Sequence, residues 1–172
     1  MILLVPIGPV PIYVISWLED KLNDFENLEA KVGKAVPLPR TGYDKERQQF
    51  EAEAVSQTLQ AIQCPEAERI VGLLDQDCYS PGLNFIFGQA DINGREAFVV
   101  LPRLRQNFYG LEEDKNLFKQ RILKEIVHEL GHTWGLPHCD QPGCVMLFSD
   151  SLRDTDDKSA EFCPRCREKL PH

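Results

Sequence analysis

The chain has no surplus of basic residues and no long apolar run, and these two absences exclude several classes of protein. Its 172 residues carry a formal net charge of −8 at pH 7, so it offers no cationic surface for nucleic acid or for an anionic membrane. No stretch approaches the roughly 20 apolar residues that a transmembrane helix needs. The apolar residues 1–5 follow no basic segment and are soon interrupted by proline, unlike a secretory signal. We therefore expect a soluble cytoplasmic protein that binds neither nucleic acid nor membranes.

Histidine is also scarce, since the chain has only four, and three of them lie in one short segment. Residues 128–138 have the pattern H-E-x-x-H-x-x-G-x-x-H, with its histidines at His128, His132 and His138. Residues four apart lie on the same face of a helix, so the first two imidazoles can reach one metal ion. The extended pattern is typical of a zinc hydrolase and is much more specific than H-E-x-x-H alone.

Helical periodicity around this motif indicates how the first two histidines are presented. Asp114 can cap a helix that runs to about Trp134. At about 100° per residue, His128 and His132 lie opposite an apolar stripe, which argues against their being ordinary core residues. The stripe consists of Ile122, Leu123, Ile126, Val127 and Leu130.

The residues after this helix predict a third ligand and an open coordination position. Gly135 suits the positive-φ position that ends a helix, and Pro137 prevents the helix from resuming, so the chain can turn His138 toward the same ion. Three histidine ligands leave one position of a zinc site open for water, as catalytic sites do. We predict that Glu129 accepts a proton from zinc-bound water and returns it to the leaving amine, rather than being a surface charge.

Four of the six cysteines have the spacing of metal ligands. They form a C-x₄-C pair and a C-x₂-C pair, namely Cys139, Cys144, Cys163 and Cys166. Such a set makes a closed, redox-silent zinc site, whereas two disulfides are the alternative. The remaining Cys64 and Cys78 are expected to be ordinary buried thiols, with a mutual disulfide as their alternative.

The pattern of apolar residues predicts one α/β domain. A helix is expected from Pro11 to Phe25 and another over residues 44–63, in addition to the helix that ends near Trp134. The predicted strands are residues 1–5, 34–38, 69–74, 83–87 and 97–101. Asn93 and Gly94 predict a hairpin turn, so an antiparallel element joins a mostly parallel sheet. The acidic residues between 150 and 157 are expected to solvate a loop.

The motif-bearing residues 128–166 resemble the metzincin clan of zinc peptidases, and specifically the archaemetzincins. The resemblance rests on His138 followed at once by Cys139, then Cys-Val-Met at 144–146 and Cys-Pro-Arg-Cys at 163–166. It implies an α+β fold with a twisted, mostly parallel sheet, one antiparallel edge strand, backing helices and a zinc helix. It also implies an N-terminal subdomain, residues 1–135, and a small C-terminal subdomain, residues 136–172, within a single catalytic domain.

The same resemblance implies roles for further residues. Residues 83–87 become the candidate edge strand, along which a peptide would pair. Met146 becomes the Met-turn residue, an apolar floor beneath the catalytic zinc. The four spaced cysteines, Cys139, Cys144, Cys163 and Cys166, would hold a second, structural zinc. Some metzincins have a tyrosine two residues after the methionine, but this chain has Phe148, which offers no hydroxyl group.

The sequence thus predicts a zinc metallopeptidase with two zinc ions per chain that acts on peptides or unstructured polypeptides. A non-catalytic zinc protein that uses the same groove as a peptide-binding scaffold is the alternative, although pure binding needs no base at Glu129. A nucleic-acid-binding cysteine zinc module is disfavoured by the acidic charge. The sequence does not define the oligomeric state, for which a monomer is the default expectation.

Overall fold

A five-stranded sheet forms the centre of the computed structural model, which describes residues 1–25 and 28–171. Its strands are β1 (Ile2–Ile7), β2 (Ala30–Val32), β5 (Arg69–Leu74), β7 (Gly88–Ala90) and β8 (Glu96–Val100). Their order in the sheet is β2-β1-β5-β8-β7. Four of them run parallel, and β7 pairs antiparallel with β8 at the edge. The predicted mostly parallel sheet with one antiparallel edge strand is confirmed.

Helices cover both faces of this sheet. The main ones are α1 (Ile12–Asn23), α2 (Ala52–Gln60) and α3 (Lys115–Thr133). Alternate residues of β5 face opposite ways, so Val71 and Leu73 join the core that contains α1 and α3, while Ile70 and Leu74 join the core that contains α2. This explains why β5 is apolar throughout, as a strand buried on both faces must be.

A small second sheet interrupts the segment predicted to be one helix over residues 44–63. It has the order β3-β4-β6 and consists of β3 (Tyr43–Asp44), β4 (Gln49–Glu51) and β6 (Cys78–Tyr79). The buried Gln49 donates through Nε2 to an Asp77 carboxylate oxygen and to the Asn84 carbonyl oxygen, both at 2.9 Å. These long-range bonds hold the segment extended, so the helix begins only at Ala52.

Two predicted strands are wrong in position. The edge strand is β7 rather than residues 83–87. The chain turns at Asn93 and Gly94, and the residues nearest to this turn pair with each other, so that Ala90 lies opposite Ala97. The strand predicted at 34–38 is replaced by β2, and only Val36 makes a single bridge to Ile7. Pro37 has no N–H group to continue that pairing.

The C-terminal part contains two short helices, α4 (Leu152–Asp157) and α5 (Pro164–Arg167). The acidic segment is therefore helical rather than a solvated loop. Asp156 accepts two hydrogen bonds from the buried Arg121 guanidinium at 2.7 and 2.6 Å, which ties α4 to α3. Among the described helices, none has both the length and the apolar character needed to cross a bilayer.

Candidate active site and metal centres

Helix α3 carries the first part of the predicted site, and local signals fix both its ends. The Asp114 carboxylate accepts from the backbone N–H groups of Asn116 and Leu117, as an N-cap residue does. At the other end Gly135 has φ +84°, and its N–H donates to the His132 carbonyl at 2.8 Å. The chain turns back at this glycine, as predicted.

The structure brings His128, His132 and His138 together. Their ring centroids lie 4.6 to 5.3 Å apart, and one nitrogen from each ring falls within 4.8 Å of the others. The Nε2 atoms of His128 and His132 are 3.1 Å apart. Zinc–nitrogen bonds of about 2.0–2.1 Å in a tetrahedral site place two nitrogens roughly 3.4 Å apart, so the spacing fits zinc.

Backbone carbonyl groups orient two of these rings. His128 Nδ1 lies 2.8 Å from the Val145 carbonyl oxygen, and His132 Nδ1 lies 2.7 Å from that of Leu136. When each Nδ1–H donates to its carbonyl oxygen, the Nε2 lone pairs face the shared centre.

Burial keeps the imidazoles uncharged. It lowers the pKa of His128 to about 2, with the charge of Lys158 as the second cause. Burial also lowers the pKa of His132 and of His138. Neutral imidazoles are the form that binds a metal ion, so the chemistry of the donor set fits zinc as well as its geometry does.

Glu129 follows His128 on α3, and its side chain lies against the edge strand. Its side chain is almost fully buried. Burial raises the pKa of Glu129 well above its ordinary value, the nearby Glu125 raises it further, and Lys158 opposes them.

Because Gly88 of β7 has no side chain, the Glu129 carboxylate can occupy the space next to its Cα atom. A Cβ atom at position 88 would lie 2.7 Å from Glu129 Oε1 and 2.9 Å from its Cγ atom. Any larger residue would therefore displace the glutamate. Sequence reasoning missed this contact, because nothing near Gly88 in the chain signals a partner 41 positions away.

The four spaced cysteines form a second cluster. Sγ atoms of Cys139 and Cys163 are 3.8 Å apart, as are those of Cys144 and Cys166, and all four sulfurs lie within 4.8 Å of one another. Thiolates at about 2.3 Å from a tetrahedral zinc are separated by roughly 3.8 Å, so the cluster fits this ion. A disulfide requires about 2.05 Å, and all four cysteines are free thiols.

Hydrogen-bond donors surround these sulfurs. The pKa of Cys163 is lowered to about 7, chiefly by a backbone hydrogen bond from Cys166. Cys139 Sγ accepts from the Gln141 N–H at 3.4 Å. Such donors favour the thiolate form that binds zinc, whereas burial raises the pKa of Cys144 and of Cys166.

The remaining two cysteines stand apart from this cluster. Cys78 is fully buried and Cys64 is half-buried, and both are free, so the alternative of a mutual disulfide is wrong. Burial raises the pKa of Cys78 to about 12.

Met146 and Phe148 border the histidine cluster from the C-terminal part. Met146 is fully buried, and its sulfur packs so closely on Gly131 of α3 that no Cβ atom would fit there. Phe148 is 56% exposed, and its ring centroid lies 5.2 Å from that of His138. The methionine thus lies beneath the helix that carries two of the histidines.

Together the fold and this site define a class of protein. Three converging neutral imidazoles with a glutamate beside them, on a helix packed against a mostly parallel sheet with an antiparallel edge strand, are the arrangement of a metzincin-type zinc metallopeptidase.

Comparison with known proteins gives the family within that class. The sequence model of peptidase family M54 matches residues 31–172. An archaemetzincin of Methanopyrus kandleri is 43% identical over 95% of this chain and 90% of its own length. One from Pyrococcus abyssi is 42% identical over 99% of this chain and 94% of its own length.

Solved structures support the same family. The crystal structure of the M. kandleri archaemetzincin has a TM-score of 0.84 at 42% identity, covering 98% of this chain and 92% of its own. A zinc-dependent peptidase from Methanocorpusculum labreanum has a TM-score of 0.88 at 29% identity, covering 99% of this chain and 100% of its own. The chain therefore belongs to peptidase family M54, the archaemetzincins, and is a zinc metallopeptidase.

Proposed function

We propose that the peptidase reaction takes place at the histidine cluster, where His128, His132 and His138 hold a catalytic zinc ion and Glu129 is the general base and acid. The observation that carries this proposal is the position of Glu129, which follows His128 on α3 and whose carboxylate lies against Gly88 of the edge strand. When bound, zinc supplies a Lewis acid that acidifies water and polarises the carbonyl group of a peptide bond.

The glutamate is suited to moving a proton twice. Because burial raises its pKa, its carboxylate is a stronger base than an exposed glutamate. It accepts the proton of the attacking water on a carboxylate oxygen and then donates that proton to the nitrogen of the departing amine. The hydrogen bonds from the histidine Nδ1 atoms to Val145 and Leu136 fix the rings during this exchange.

The edge strand supports the proposal that the substrate is an extended peptide. The Val100 N–H donates to the Phe87 carbonyl at 2.8 Å, and the Asp91 N–H donates to the Glu96 carbonyl at 2.9 Å. The backbone N–H and C=O groups of successive residues in a strand point to opposite sides. Those of Gly88 and Ala90 therefore point away from β8. A substrate can pair there by adding a strand to the sheet, close to Glu129.

We further propose that Cys139, Cys144, Cys163 and Cys166 hold a second, structural zinc ion. Four thiolates close its coordination sphere, so this ion has no open position for water. It would join the residue next to His138 to the C-terminal helix α5, and thus fix the approach of the third imidazole. On this proposal residues 136–172 act as a C-terminal subdomain that completes the site of residues 1–135, with Met146 as the apolar floor.

Digestion of a broad peptide library tests the proposed activity. We expect cleavage products by mass spectrometry with the zinc-loaded protein, none after a chelator removes the catalytic zinc, and recovery when zinc is returned. Circular dichroism should show that the chelated protein stays folded. Peptides that are retained on the protein but never cleaved would instead indicate a binding scaffold.

A further inference from the structure

Lys158 is completely buried, and its ammonium group joins helix α3 to the segment that contains Leu147. Its side chain is 0% exposed, and Nζ lies 3.0 Å from Oε1 of Glu125, which is 4% exposed. The same Nζ donates to the Leu147 carbonyl oxygen at 3.3 Å. Lysine is almost never fully buried unless it is paired, so this contact requires an explanation.

Each partner of Lys158 belongs to a segment that supports a metal-binding side chain. Glu125 lies on α3, three residues before His128. Leu147 lies in the segment 145–147, in which the Val145 carbonyl bonds His128 Nδ1 and Met146 packs on α3. Lys158 therefore holds the segment that orients the His128 ring against the helix that carries it.

Stability alone does not explain this ion pair. Removing two charges from water is so costly that a well-packed apolar pair often serves a fold equally well. Helix α4 is also fixed to α3 by contacts that do not involve Lys158. Arg121 forms an ion pair with Asp156. The Lys124 ammonium group donates to the carbonyl oxygens of Thr155 and Asp156.

We propose that Lys158, through Glu125 and the Leu147 carbonyl, is a positioning residue of the histidine metal site. It keeps the Val145 carbonyl in place, and thereby keeps the His128 ring turned with Nε2 toward the metal. The inference rests on the proposed function only in that the three histidines bind a metal ion. It assigns a role to a lysine that lies outside the H-E-x-x-H motif and touches no ligand.

The test replaces the ion pair by an apolar pair of similar size, Glu125→Leu with Lys158→Met, and measures metal binding rather than turnover. Cobalt(II) is the probe, because its thiolate charge-transfer band in the near ultraviolet reports the cysteine cluster, and visible bands that appear without a matching rise of that band report the histidine site. We expect a folded protein with cobalt affinity at the histidine site lower by about 10- to 100-fold, as is usual when a group that orients a ligand is lost. The cysteine cluster should bind as in wild type.

The matched control is Arg121→Met with Asp156→Leu, which removes the neighbouring ion pair between α3 and α4 but does not reach segment 145–147. It should keep the affinity of the histidine site within about threefold of wild type.

The other possible results contradict the proposed role of Lys158. A folded Glu125→Leu, Lys158→Met protein with unchanged cobalt affinity would show that the pair does not position His128. Failure of this variant to fold would show that the pair serves folding instead. Absence of cobalt binding to the histidines of the wild-type protein would be a failure of the proposed function, and the wild-type titration distinguishes it.

Discussion

Replacing Glu129 with glutamine is expected to lower kcat for peptide hydrolysis by about 10²- to 10⁴-fold, the range that a general acid or base contributes. Glutamine has nearly the same shape and fits beside Gly88, but it cannot accept the proton of the attacking water. Because the three imidazoles are untouched, zinc content should remain that of the wild type. Turnover and metal content measured on the same preparation check both expectations.

The matched control for this variant is Glu113→Gln, the same change at an exposed glutamate just before α3. It should leave kcat unchanged. Undiminished turnover of the Glu129→Gln protein, with its zinc bound, would reject the assignment of Glu129 as base. If zinc were lost together with activity, Glu129 would be needed for metal binding rather than for proton transfer.

Replacing Cys166 with serine is expected to destabilise the fold more than any surface change. Structural zinc sites contribute about 10–16 kcal/mol of binding free energy. Losing even a quarter of that, about 3 kcal/mol, lowers Tm by roughly 6–12 °C for a domain of this size. Activity should fall as well, because the segment that directs His138 is no longer joined to α5.

Cys64→Ser is the control for this loss, since Cys64 is a half-buried thiol outside the cluster. Its Tm should stay within a few degrees of wild type. If Cys166→Ser melts at the wild-type temperature, the cysteine cluster does not stabilise the protein through a metal ion. Differential scanning calorimetry of the three proteins in the same zinc concentration makes the comparison.

The parts of the structure that local signals encode could be predicted from the sequence. The apolar, β-branched run 69–74 is the central strand β5 with its predicted bounds. The cap at Asp114 and the turn at Gly135 define α3, because both depend on residues within a few positions. The histidine cluster and each of the two cysteine pairs follow from spacing, since helix geometry and short loops fix their members, whereas the folded chain brings the two cysteine pairs together.

Contacts between residues that are distant in the sequence determine the parts of the structure that could not be predicted. Gln49 lies extended because its partners, Asp77 and Asn84, are 28 and 35 residues away, so the helical period of its own segment misled the prediction. The edge strand was misplaced because the apolar residues before it pack into the core, while only the Phe87 carbonyl at their end bonds to β8. Gly88 and Lys158 carry no pattern of their own, and only the folded chain shows what they contact.

Zinc analysis of the purified protein tests the central claim most directly, namely that the three histidines hold a metal ion of their own. The wild-type chain should contain two zinc ions, and His132→Ala should contain one, with the cysteine cluster still occupied. A His132→Ala protein that retains both ions, or a wild-type protein whose only zinc lies on the cysteines, would contradict the account.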